Sequence, residues 1–205
     1  MKYLIFAILF SSTLFAHPVT YKGGVVYWGS MMPMMQSHRI NYSFSPKASL
    51  EINHSSIENI SNYRDTTVGF NFLLKRWLQH DSQGNIYLNG HVGHFTQDND
   101  KSGLVTHQMV MGDWESRRIY TAGSIMNYSF NDKNLQRYSY RIGFAPYIGK
   151  MNELQAWMIL KFDYFKENDR RLWVTPMMRF FYKNALWEFG ANQYGDFLLT
   201  LMTHY

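Results

Sequence analysis

Apolar and polar side chains alternate along most of this chain. Between 67 and 75, Val68, Phe70, Phe72 and Leu74 are interleaved with Thr67, Gly69, Asn71, Leu73 and Lys75. On an extended backbone this makes one greasy face and one mostly polar or small face. Tyr138, Tyr140, Ile142 and Phe144 likewise oppose Ser139, Arg141, Gly143 and Ala145, while Met158, Leu160, Phe162 and Tyr164 oppose Lys161 and Asp163. Leu172, Val174, Met178, Phe180 and Tyr182 oppose Thr175 and Arg179. No segment keeps a 3.6-residue period. Turn-forming clusters such as Ser45-Pro46-Lys47, Asp98-Asn99-Asp100 and Asn131-Asp132-Lys133-Asn134 separate the runs. The pattern predicts strands at about 19–30, 36–45, 47–56, 64–79, 84–96, 104–114, 117–130, 136–148, 152–166, 170–183, 185–192 and 196–204.

Such alternation is hidden either by a soluble sandwich or barrel with the apolar face inside, or by a membrane barrel with that face toward lipid. The polar face carries Arg39, Glu51, Lys75, Arg141, Lys161, Asp163, Arg179 and Glu188, together with Asn41, Asn53, Asn71, Asn89 and His91. Gly69, Gly93, Gly143 and Ala145 share that face, and small residues suit a crowded lumen better than an exterior. Tyr and Trp gather toward strand ends, at Tyr27, Trp28, Trp77, Trp114, Tyr120, Tyr138, Tyr164, Trp173, Tyr182 and Trp187, as in the girdles at membrane interfaces. The expectation is an all-β fold: an antiparallel transmembrane β-barrel of about ten to twelve strands with short turns.

Composition narrows the alternatives. Hydrophobic residues make up 46% and charged residues 17% of the 205, which excludes a disordered chain. A mean hydropathy of -0.33 and the lack of any apolar run near 20 residues exclude a bundle of transmembrane helices. There is no Cys, so disulfides, thiolate metal sites and Cys nucleophiles drop out. The net charge of +5 is spread along the chain, which gives nucleic-acid binding no support. Lys2, the apolar stretch from Tyr3 to Phe15 and the small Ala16 read as a secretory signal peptide over 1–16. A single barrel domain then covers 17–205, with His17 as the first mature residue.

In the last strand Phe197, Leu199 and Leu201 alternate up to a terminal aromatic, Tyr205. With this ending the chain resembles bacterial outer-membrane β-barrel proteins of the porin type, over essentially the whole mature sequence. The resemblance implies an outer-membrane location, contact with outer-membrane lipid, and recognition of the C-terminal strand by the barrel-assembly machinery.

Three readings of function follow. In the first, Arg39, Glu51, Lys75, Arg141, Lys161, Asp163, Arg179 and Glu188 line a narrow pore for small solutes or ions and set its selectivity by fixed charge. In the second, the same charges pair into salt bridges and plug the interior of a structural barrel. In the third, Met31, Met32, Met34 and Met35, followed by His38, bind a soft metal ion such as copper or silver, because thioethers favour Cu(I). The bland alternative makes these methionines apolar filler around a turn at Pro33. His91 and His94 fall on opposite sides of a strand, which argues against one metal shared with His107. No GxSxG, HExxH, phosphate-cradling glycine loop or dinucleotide fingerprint is present, so no catalytic residue is assigned.

Overall fold

The computed structural model describes residues 17–58, 62–98, 100–131, 133–149, 153–166 and 172–205; the leader expected over 1–16 lies outside them. The alternation becomes twelve strands: β1 (Val25–Met32), β2 (Met35–Ser45), β3 (Ala48–Ile57), β4 (Tyr63–Leu78), β5 (Ser82–Thr96), β6 (Ser102–Ser116), β7 (Ile119–Phe130), β8 (Lys133–Phe144), β9 (Gln155–Phe165), β10 (Leu172–Tyr182), β11 (Ala185–Ala191) and β12 (Phe197–His204). Each pairs antiparallel with its chain neighbours, and β1 pairs with β12, from Val26 opposite His204 to Met31 opposite Leu199. The sheet therefore closes, and closure leaves no row of unpaired amides facing hydrocarbon.

The first strand differs from its expected span. Residues 19–22 do not join the sheet. Gly23, at a φ of +88° that disfavours any residue with a Cβ, helps turn the chain so that Gly24 N–H donates to Tyr21 C=O at 3.0 Å. The segment before it runs inward, where Val19 is buried against Leu73 and Tyr87.

The short β11 leaves the first half of β10 unpaired on one side, since their register begins at Met177 opposite Gly190. The Gln193 side chain stands in for a strand there. Its Oε1 accepts the Val174 N–H at 2.7 Å and its Nε2 donates to the Leu172 carbonyl at 2.8 Å. Gln193→Ala is expected to cost about 1–2 kcal/mol, the range for two net hydrogen bonds, and to speed amide exchange at Val174 before the rest of β10.

The apolar face is outside, as the sequence pattern requires. Ile40, Tyr42, Ile52, Val68, Phe70, Phe72, Ile142, Phe144, Met158 and Leu199 are exposed. Asn41, Asn53, Asn71, Asn89 and His91, on the other face, are buried. The small residues are accounted for by crowding: a Cβ on Gly69 would overlap the His91 ring, and one on Gly143 would press on Ile159. Tyr27, Trp77, Trp114, Tyr138 and Tyr182 sit on the outer wall, but three of the expected girdle residues turn inward. Trp28 and Tyr120 line the lumen, and Trp173 is buried against Phe165 with ring centroids 4.6 Å apart. Aromatic character alone does not distinguish a girdle position from a lumen plug.

Candidate functional site

The lumen is built from the inward face of every strand, and its charges fall into local groups. On β8 and β9, Arg137 donates to Asp163 Oδ1 through Nε at 2.9 Å and Nη2 at 2.7 Å, while Lys161 Nζ donates to Asp163 Oδ2 at 2.7 Å. On β8, β10 and β11, Arg179 grips Glu188 Oε1 through Nε at 2.8 Å and Nη2 at 2.7 Å, with Arg141 Nη1 3.3 Å from the same oxygen. The Arg179 guanidinium also lies 4.4 Å from the Tyr120 ring centroid. Lys161 is fully buried and Glu188 nearly so. Charges in such positions are tolerable only because each has an opposite partner and further hydrogen bonds.

On β2 to β5 the groups are softer. Asn71 Nδ2 donates to Asn41 Oδ1 at 2.7 Å and Glu51 Oε2 at 3.0 Å, and Asn89 donates to Asn71. Arg39 Nε and His91 Nε2 stand 3.9 and 3.7 Å from Glu51 Oε1, and the Arg39 guanidinium lies 5.5 Å from the Trp28 ring. Asp65 accepts the Ser55 hydroxyl at 2.7 Å and the Tyr63 hydroxyl at 2.8 Å, with His107 Nε2 at 3.0 Å. Ser55 and His107 meet different oxygens of one carboxylate. The imidazole is therefore not placed to take the serine proton, as a nucleophilic pair would require.

Of the eight residues expected to line the pore, Arg39, Glu51, Arg141, Lys161, Asp163, Arg179 and Glu188 face the lumen. Lys75 does not. A bulge between Leu73 and Lys75 breaks the β4–β5 register, and the extra residue sends Lys75 to the outer rim, 5.2 Å from the Trp77 ring. Arg76 takes the inward direction, donating from Nε to Asn85 Oδ1 at 2.7 Å, and Asn85 Nδ2 in turn donates to Asp113 Oδ1 at 2.7 Å. Besides Arg76, the described lumen groups Arg137, Asp65, Asp113 and Glu115 escaped the sequence reading. Arg137 and Asp65 were reachable by extending the period of two along β8 and β4. Asp113 and Glu115 were not, because Met109 and Met111 occupy the same face of β6 and blur its polarity.

The methionine cluster is divided by its own hairpin. Pro33 and Met34 form the two-residue turn between β1 and β2, with Met34 at φ +67°. Met31 is exposed on the outer wall, and Met35 is buried with its sulfur 3.7 Å from the Tyr128 hydroxyl. Met32 enters the lumen, where Arg137 Nη2 at 3.4 Å and Lys161 Nζ at 3.6 Å surround its sulfur with positive charge. His38 is on the outside, with Nδ1 2.9 Å from the Tyr27 hydroxyl. Met31 and His38 lie on the outer face, whereas Met32, Met34 and Met35 pack together at one inner cluster with Met32 opposite Met35, so the expected copper-binding set is split between two faces of the wall. Among the described residues no group of three or more His, Asp or Glu is placed to hold a metal.

The space left between these groups is a central cavity of about 110 Å³, enough to hold water. Arg39, Arg137, Arg141 and Arg179 contribute to its wall with Glu51, Asp113, Glu115 and Glu188. At the end opposite Tyr205, Tyr63, Phe95, Phe130, Phe165 and Trp173 pack into an apolar cluster with Met35 and Met126. At the other end stands His17, whose imidazole is held far below its usual value, at about 3, by burial and then by Arg76, His204 and Arg179. It is neutral near pH 7. That state suits its contact with Gln83, whose Nε2 lies 3.1 Å from His17 Nε2 and donates to it.

No family model matches the chain, and no curated relative does. Among solved structures it is similar to the KdgM porin, at 12% identity over 89% of this chain and 98% of that one, with a TM-score of 0.52. The KdgM porin in complex with disordered oligogalacturonate gives the same values. The NanC porin follows at 9% identity, covering 87% and 97% of the two chains with a TM-score of 0.48. The KdgM likeness and the closed twelve-strand sheet together place the chain in one architectural class, the porin-type antiparallel β-barrel.

Proposed function

We propose that this protein is a bacterial outer-membrane barrel that passes small solutes or ions through a narrow, charge-lined lumen. The observation that carries the reading is the inversion of faces: an apolar wall outside, and facing acidic and basic side chains inside around a central cavity. The apolar wall requires lipid, and β12, with Phe197, Leu199 and Leu201 on its outer face and Tyr205 at its end, supplies the signal for the barrel-assembly machinery. Selectivity belongs to Arg39, Glu51, Arg137, Arg141, Lys161, Asp163, Arg179 and Glu188, and passage is diffusion steered by fixed charge. The KdgM comparison supports the reading at the level of architecture.

Planar-bilayer recordings of the refolded protein test it: small, steady current steps are expected, and a silent barrel would overturn it. Among the described guanidiniums of the cavity wall Arg39 has the longest ion-pair contact, 3.9 Å to Glu51, so Arg39→Gln is expected to leave folding intact. It should shift the reversal potential in a KCl gradient toward K⁺, because Glu51 loses its counter-charge. A second reading, a closed structural barrel, is favoured by the aromatic cluster at one end and the small cavity. It predicts no steady openings in the same recordings.

A further inference from the structure

Residues 17–22 take no part in closing the barrel, yet they lie inside the mouth beside Tyr205. They reach consecutive strands from β2 to β6. Thr20 N–H donates to Ser43 Oγ on β2 at 3.0 Å, and the two hydroxyl oxygens are 3.1 Å apart. Ser49 Oγ on β3 donates to the Pro18 carbonyl at 2.9 Å. Val19, 1% exposed, packs on Leu73 of β4 and Tyr87 of β5. His17 meets Gln83 of β5 and stands 3.6 Å from Asp113 and 3.9 Å from Glu115 of β6, its ring 5.8 Å from that of Tyr87. His17 and Pro18 border the central cavity.

We propose that residues 17–22 form an internal strap that gates the lumen at the mouth beside Tyr205, with His17 as its latch on β5 and β6. This rests on the pore reading above and adds its regulation. Two features suit a gate better than a fixed wall. Among the described residues the strap makes no ladder of backbone hydrogen bonds to the barrel between Pro18 and Tyr21, being held there through side chains, whereas Gly23 and Gly24 tie its exit to Ser43 through backbone bonds of 2.7 and 2.9 Å. Once the leader expected over 1–16 is cleaved, it can swing about that fixed end when a few local contacts break.

The chain has no cysteine, so introduced thiols report cleanly. In protein purified from bacterial membranes, Val19→Cys is expected to react slowly with a membrane-impermeant maleimide, and adding His17→Ala should speed that reaction several-fold. Single-channel current should rise several-fold in His17→Ala and in Val19→Asp. An oxidised Thr20→Cys/Ser43→Cys pair combined with His17→Ala should hold the current at the wild-type level, and a reductant should release it. If wild-type current is present and strap release leaves it unchanged, the gate is overturned while the pore stands. If labelling accelerates but no variant conducts, the pore reading falls and the strap is a structural tie. Unchanged labelling in His17→Ala would overturn the latch.

Discussion

Glu188→Gln is expected to destabilise the barrel by about 3–5 kcal/mol, the cost of removing one partner from a buried ion pair. The carboxylate, 1% exposed, is held by Arg179 at 2.7 Å and Arg141 at 3.3 Å, and the neutral amide leaves both guanidiniums without a counter-charge. Urea unfolding in detergent micelles, followed by tryptophan fluorescence, measures the loss. The size of the effect also reports how wet the lumen is. In a water-filled channel the same pair is screened and its removal costs roughly 1 kcal/mol or less. Arg179→Met with Glu188→Leu should recover part of the stability, since replacing buried partners together by apolar groups is often neutral, while Arg141 still lacks its counter-charge. A double-mutant cycle then gives the coupling between the two.

The second large effect is on the outer wall. Ile52→Arg should lose about 2–4 kcal/mol of folding stability in lipid vesicles, the range for an arginine placed at the bilayer midplane on the lipid face of a barrel. Ile52 is 52% exposed near the middle of β3, between Ile40 of β2 and Val68 of β4, so an ordinary soluble surface would accept the arginine with little change. Near-normal stability of this variant would mean that the apolar face is not wetted by hydrocarbon.

The two predictions separate lumen from lipid because a strand's two faces answer to different solvents. That separation was legible from the chain, and so was most of the strand plan. Twelve runs of alternation became twelve strands, with ends moved by a few residues except at the first. Seven of eight expected lumen charges lie where a period of two puts them. Lys75 failed for a local reason: a bulge adds one residue, and one residue reverses every side chain that follows until the strand ends. The expected methionine set is split because successive residues of a strand point to opposite faces: Met31 and His38 go outward, while Met32 and Met35, paired across the hairpin, go inward. Trp28, Tyr120 and Trp173 failed because an aromatic side chain suits both a membrane interface and a packed interior.

By itself the sequence determined the period, and with it the class of fold and the solvent on each side, since alternation is a property of neighbouring residues and an extended backbone converts it directly into faces. Only the tertiary structure decided which charges meet, how little space they leave and where the residues before β1 go. Arg141 and Glu188, 3.3 Å apart, or His17 and Asp113, 3.6 Å apart, come from distant parts of the chain. Nothing local in either segment specifies its partner. Closing the sheet sets the stagger of all twelve strands at once, and that shared constraint brings these groups together.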